Sequence, residues 1–302
     1  MTVAALIDVR RLGFRYTDGP PALTDITFRV EPGETVAILG PSGAGKSTLL
    51  LHINGLLPSR LPTEHSDEAT ITVGDLPLTS ANLNAVREKV GLLFQNPDDQ
   101  LFCPTVARDV AFGPLNLGLS PEMVTARVER ALAEVGLESF ADRDTMRLSM
   151  GERKRACLAG LLACHPDCLV LDEPFSNLDP RGRQQIASIV RRFSGTTLLA
   201  THDLDLVGDL CDRVLVLDSG ILCADGETRT ILSNQSLMEK HGLSVPTCRD
   251  PATMNTEKPS ASSPNVTYNS DSGSEDRLPI LDHNLPDDPA VPLSRPPDGA
   301  PA

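Results

Sequence analysis

Thr35-Val-Ala-Ile-Leu39 runs straight into Gly40-Pro41-Ser42-Gly43-Ala44-Gly45-Lys46-Ser47-Thr48 and then into Leu49-Leu50-Leu51-His52-Ile53. The first five residues are mostly apolar and of strand length, and the last run suits a helix. Between them stands G-x-x-x-x-G-K-[ST], the pattern of a loop whose backbone amides wrap phosphate oxygens. The glycines let the backbone close on the phosphates, so Gly40 through Thr48 are candidate binding residues. Lys46 is placed to neutralise the β and γ phosphates, and the Ser47 hydroxyl is a magnesium ligand. A strand before the loop and a helix after it is the context that the motif requires. Nucleotide binding follows, with the kind of nucleotide enzyme still open.

Farther along, Cys168-Leu-Val-Leu-Asp172-Glu173-Pro174 reads as an apolar strand ending in two carboxylates. Asp172 can hold Mg2+ through its water shell, and Glu173 stands where it could orient or deprotonate an attacking water. Further strands are expected at Gly91–Phe94, Leu169–Leu171, Thr197–Ala200 and Val214–Leu217, alternating with helical stretches. That alternation predicts an α/β layered fold. Leu6–Val9 and Ile26–Val30, with Asp18, Gly19, Pro20 and Pro21 as turn residues, are expected as antiparallel strands beside the main sheet. From about Thr105 to Ala163 the periodicity is helical throughout, which marks a helical insertion.

Composition narrows the class. With 302 residues and 40% hydrophobic content, the chain can build a packed core. Its longest apolar stretches, such as Leu158–Cys164, fall short of the ~18–20 residues that cross a bilayer. The N-terminus has no secretory pattern. Seven cysteines, an odd number, fit reduced thiols in the cytoplasm. Cys164, His165 and Cys168 could suggest metal ligation, but no second pair stands at finger-like spacing, and core residues between a helix and a strand are the better reading. A net charge of -14, from 41 acids and 27 bases, argues against nucleic acid as a partner. It also disfavours direct lipid binding, so membrane attachment should come through protein. Ten of the 25 prolines fall in residues 247–302, which read as a disordered Pro/Ser/Asp-rich tail behind one ATPase domain, residues 1–246.

Leu148-Ser149-Met150-Gly151-Glu152 resembles the signature of the ABC ATPase family, usually written Leu-Ser-Gly-Gly-Gln, with methionine and glutamate at the third and fifth places. The resemblance implies a P-loop NTPase-type fold with an antiparallel β subdomain and a helical subdomain, about residues 96–165, inserted after the Gln95 loop. It implies ATP and Mg2+ as cofactors, and phosphate contacts from Ser149 and Gly151 to nucleotide held by a second ATPase subunit, identical or different. Gln95 matches the glutamine that links magnesium and water to the transporter-facing subdomain. Asp179, in Ser-Asn-Leu-Asp-Pro, matches the loop between subunits. His202, in Ala-Thr-His-Asp, matches the histidine that contacts the γ phosphate, and Tyr16 corresponds to the aromatic that stacks on adenine.

Val90-Gly-Leu-Leu-Phe-Gln95-Asn-Pro-Asp98-Asp99-Gln100-Leu-Phe102, Leu51–Leu56 and Gly195–Leu204 resemble a narrower group, the ATPase subunits of energy-coupling-factor importers. These pair with an integral-membrane coupling subunit and a substrate-binding membrane subunit at the cytoplasmic face of the membrane. Cobalt or nickel is the expected cargo from overall resemblance, including His241–Pro246. A vitamin importer stays open, as does a non-transport ABC protein. A soluble phosphotransferase would lack the signature. The connector between Leu57 and Thr70 is longer and more acidic than the resemblance suggests. Asp98 or Asp99 is expected to pair with an arginine of the coupling subunit.

Overall fold

The computed structural model describes residues 6–58 and 70–243. The chain opens with β1 (Ile7–Arg15), β2 (Pro21–Val30), β3 (Thr35–Leu39) and α1 (Lys46–Ile53). It continues through β4 (Ile71–Val73), β5 (Leu76–Pro77), α2 (Leu83–Lys89) and β6 (Val90–Leu93), then α3 (Val106–Asn116), α4 (Pro121–Val135) and α5 (Met150–Ala163). Next come β7 (Cys168–Asp172), α6 (Pro180–Arg192), β8 (Thr196–Ala200) and α7 (Leu204–Leu210). The last described elements are β9 (Arg213–Asp218), β10 (Ile221–Glu227), α8 (Thr228–Ser233) and α9 (Gln235–Lys240).

Six strands form the main sheet in the order β10-β9-β3-β8-β7-β6. All neighbours from β6 to β9 run parallel, and β10 closes the edge antiparallel to β9. Each inner strand is mostly apolar and buried along most of its length because both faces are covered. Alternate residues then serve different cores. Ala37, Leu39, Leu169, Leu171, Val214 and Val216 face a core shared with the helices, including Val110, Leu132, Leu158 and Ile186. Val36, Ile38, Val170, Leu198, Leu215 and Leu217 face the other core, shared with Leu49, Leu50 and Ile53 of α1 and with Ile7, Val9, Ile26 and Phe28. The latter four belong to a second, antiparallel sheet in the order β2-β1-β4-β5.

The stretch expected to be helical holds α3, α4 and α5, with one isolated bridge between Thr105 and Asp144. Each start has its chemistry. Thr105, Ser120 and Ser149 accept hydrogen bonds from the first-turn amides of α3, α4 and α5, which satisfies donors the helix itself cannot. Gly136, at φ 68°, ends α4 in the left-handed conformation that favours glycine. The expected strands appear within a residue or two of their limits, except that β1 and β2 extend well beyond Leu6–Val9 and Ile26–Val30. The tail expected at residues 247–302, and residues 59–69 of the acidic connector, lie outside the described residues. Among those described, no helix is long and apolar enough to cross a membrane.

Parallel pairing has one consequence for chemistry. The loops that follow β3, β8, β7 and β6 leave the sheet at the same edge and in that spatial order. Strands lie about 4.8 Å apart, so segments distant in sequence become neighbours there.

Candidate functional site

At that edge β3 gives way to the loop Gly40–Gly45 and α1 begins at Lys46. Gly45 occupies the cap position at φ 102° and offers no side chain to the first turn of α1. The leading amides of a helix have no partner within it, and they sit at the positive end of its dipole. Here they are left facing the loop. Glycine is required at two places for reasons of space. A Cβ on Gly40, at φ 157°, would run into the carbonyl oxygen of Leu217, and one on Gly45 would stand 2.6 Å from the Ala22 oxygen.

Lys46 folds its ammonium back onto the loop, donating to Gly40 O at 2.7 Å and Pro41 O at 3.0 Å. Burial pulls its pKa down, and the nearby Glu173 and Asp172 carboxylates act in the opposite direction. Asp172, the last residue of β7, is largely buried. Burial pushes its carboxyl above the usual range against a hydrogen bond from Ser47; Glu173 adds to the rise, while Lys46 and Lys154 oppose it. Asp172 Oδ1 and Glu173 Oε2 are buried oxygens without a hydrogen-bond donor among the described residues. Carboxylate and hydroxyl oxygens beside a phosphate loop are hard donors of the kind that Mg2+ takes, so this set fits that ion.

Glu173 follows directly, with its amide donating to Ala200 O at 2.9 Å across to β8. Its φ of 46° lies in the left-handed region, a strained conformation for a residue with a side chain. His202, just past β8, brings Nδ1 to 2.9 Å from Glu173 Oε2. Because that oxygen receives no hydrogen bond, the contact is one of proximity rather than an aligned N–H···O bond. His202 is otherwise 71% exposed in its side chain, open to whatever enters the edge. Gln95, two residues beyond β6, is exposed at the far end of the same row.

Tyr16, at the end of β1, places its hydroxyl 3.2 Å from Thr48 Oγ1 and packs its ring edge-on against Phe14. With 47% exposure the ring is available for stacking beside the loop. Ser149 and Gly151 form the start of α5, where Ser149 and Glu152 make a reciprocal capping box. Ser149 Oγ donates to Glu152 Oε2 at 2.8 Å. The glutamate that replaces the usual glutamine thus fixes the serine rotamer. Asp179 caps α6, accepting from Gly182 N at 2.8 Å. The structure therefore brings Lys46, Ser47, Asp172, Glu173 and His202 together in one chain, while Ser149, Gly151 and Asp179 stand at helix starts of their own.

One expectation needs adjusting, and one residue was missed. Asp98 ion-pairs with Arg153 of this same chain, so it is not a free partner for another subunit's arginine; Asp99 remains exposed. Both acids lie in a short 3-10 turn capped by Asn96. Cys164 and Cys168 are packed at the end of α5 and the start of β7, and no metal-ligating group of three or more is found among the described residues. The missed residue is Lys154, which is 1% exposed and donates to the carbonyl oxygen of Glu173. A signal existed: Lys154 is four residues before Leu158 and eight before Leu162, on the buried stripe of its helix.

Comparison with known proteins gives a consistent picture. The family model described as ABC transporter matches residues 23–176. A Streptomyces avermitilis chain designated as an ABC transporter ATP-binding protein is 48% identical over 248 residues, covering 82% of this chain and 92% of that one. The energy-coupling factor transporter ATP-binding protein EcfA of Methanothermobacter thermautotrophicus is 42% identical, covering 81% of this chain and 78% of its own. Among solved structures, cbiO1 from Clostridium perfringens, part of the ABC transporter complex cbiONQ, superposes with a TM-score of 0.67 at 34% identity. That match covers 80% of this chain and 96% of cbiO1.

Gly45→Ala tests the loop. Its Cβ would press on the Ala22 oxygen in a backbone region that alanine avoids, at a cost of about 1–3 kcal/mol. Calorimetric titration should show ATP affinity lowered about tenfold or more; an unchanged affinity would mean that the loop conformation does not set binding.

Proposed function

The chain belongs to the ABC transporter family as an ATP-binding and ATP-hydrolysing subunit of the energy-coupling-factor type, and we propose that it powers import of cobalt or nickel ions. The observation that carries the reading is the edge where Lys46, Ser47, Asp172, Glu173 and His202 meet. In this reading residues 1–246 are the ATPase unit, and the α1 amides and Lys46 hold the β and γ phosphates of ATP. Tyr16 stacks on adenine. Ser47 and Asp172, with Gln95 from the neighbouring loop, hold Mg2+, which when bound neutralises charge on the phosphate oxygens. Glu173 takes the proton of the attacking water and His202 contacts the γ phosphate. Ser149 and Gly151 at the positive start of α5, with Asp179, face the nucleotide of a second ATPase subunit.

Cargo is inferred from resemblance at Ser176–Pro180 and His241–Pro246, and from likeness to cbiO1, which is part of a transporter complex. In this reading the chain works at the cytoplasmic face of the membrane, held there by a coupling subunit and a substrate-binding subunit. A surface suited to that docking is present. Phe102 and Phe112 meet edge to face with ring centroids 4.7 Å apart, and both are exposed along with Leu115. Contiguous exposed apolar side chains mark interaction sites. Asp99 lies a few residues before Phe102, leaving one acid for a basic helix end.

Glu173→Gln keeps the shape of the side chain but cannot accept the proton. It should bind ATP as the wild type does while turnover falls by about a hundredfold or more. In vesicles carrying the membrane subunits, ATP-driven uptake of Co2+ or Ni2+ should occur with the wild type and stop with the variant. Wild-type turnover in the variant would remove Glu173 as the base, and vitamin uptake without ion uptake would replace the cargo. Phe102→Ser with Phe112→Ser should abolish co-purification of the membrane subunits at unchanged ATP affinity; intact assembly would move the docking surface elsewhere.

A further inference from the structure

Lys154 is a buried cation with no carboxylate in contact among the described residues. Its ammonium donates to Glu173 O at 2.7 Å, to Ser176 O and Ser176 Oγ at 3.0 Å each, and lies 3.3 Å from Pro174 O. An ammonium has three donors, so these oxygens use it fully. Burial pushes its pKa down to about 8, with Glu173 the foremost of the groups that oppose the shift. It therefore carries its charge at neutral pH. Burying such a group is costly, and an apolar side chain of similar volume would serve stability as well or better. The lysine needs another reason to be there.

The oxygens it binds supply that reason. Glu173 O also receives Ser176 Oγ at 2.9 Å and Ser176 N at 3.2 Å, so three donors converge on one carbonyl. That carbonyl belongs to the residue held at φ 46°, whose strain persists only if its surroundings fix it. Turning the peptide at Glu173 would re-aim the carboxylate away from the nucleotide edge. The structure assigns Lys154 the role of a positioning residue that holds the left-handed turn at Glu173 and ties its aim to helix α5.

This assignment rests on the reading of Glu173 as the group that activates water, and it adds a link between sites. Lys154 stands five residues beyond Ser149 on one helix. The start of α5 is the segment that faces the nucleotide of the second ATPase subunit, so occupancy there reaches Glu173 of this chain through a rigid turn and a half of helix. Each subunit's carboxylate is then set by how its own signature engages the other site.

The test compares Lys154→Met, Lys154→Gln and Ser176→Ala with Glu173→Gln in the full chain, measuring melting temperature, ATP affinity and kcat. Lys154→Met should bind ATP within about threefold of wild type yet lose about tenfold or more in kcat. Its dependence on ATP concentration should also lose cooperativity. Lys154→Gln should recover part of kcat, because an amide donates to the same carbonyls. Ser176→Ala, which removes one donor to Glu173 O and no charge, should lower kcat by about threefold; it decides the question if the lysine variants do not fold. A purely structural lysine would lower melting temperature and leave kcat of the folded fraction intact, and that result overturns the assignment. So does wild-type kcat in Ser176→Ala and Lys154→Met while Glu173→Gln is inactive. Turnover retained by Glu173→Gln would instead overturn the reading of Glu173, and the positioning role with it.

Discussion

The first turn of α1 presents amides that no side chain among the described residues caps, and everything at the candidate site is arranged around them. Gly45 supplies the left-handed cap but no oxygen, and Lys46 lays its ammonium on the carbonyls of Gly40 and Pro41. A helix start of this kind is a concentration of positive partial charge awaiting an anion. It is held open by close packing: the loop runs so near Leu217 and Ala22 that a single methyl on Gly40 or Gly45 would collide with backbone. The antiparallel sheet contributes here as well, since Ala22 belongs to β2 and Thr24 N is hydrogen-bonded to Gly220 O at 2.7 Å. The second sheet thus helps to set the phosphate loop besides carrying Tyr16.

The parallel sheet does the remaining positioning. Asp172, Glu173 and His202 are more than a hundred residues from the loop in sequence, yet strand order places β8 and β7 next to β3 in turn. The register aligns Ile38 with Ala200 and Ala200 with Asp172, so three strand ends finish level. Repulsion between Asp172 and Glu173, and burial of the former, are opposed by Lys46, Lys154 and the Ser47 hydroxyl. Excess acceptor capacity remains in Asp172 Oδ1 and Glu173 Oε2. An edge with free acceptors beside free amides suits a cation-bound polyphosphate better than a bare anion or a bare cation.

Much of this was legible in the sequence, and the parts that were not share a cause. β3, β7, β8 and β9 are apolar runs of strand length because they are buried on both faces, and that is a strong local signal. β10 escaped because Ile221–Glu227 is an edge strand with alternating exposure, carrying Asp225 and Glu227 and a register shift near Leu222. β4 and β5 are only three and two residues long. At the site, the loop and the acidic strand end could be read because each motif is contiguous. The Asp98–Arg153 pair could not, and the helical spacing of Lys154 with Leu158 and Leu162 gave its buried face but not its partners. Charged residues on a helix normally stay in solvent, and only the tertiary fold reveals which carbonyl or carboxylate brings one inside. Glu152 shows the same limit, since its role as partner of Ser149 depends on the geometry of a helix start.

Amide chemical shifts of the isolated protein, followed by NMR during titration with ATP, pyrophosphate and adenosine, test the central claim most directly. If the uncapped turn of α1 is what holds the ligand, the amides of Gly43, Gly45, Lys46, Ser47 and Thr48 should move with ATP and with pyrophosphate and stay in place with adenosine. Shifts of similar size with adenosine, or ATP shifts confined to residues away from Gly40–Thr48, would contradict the account.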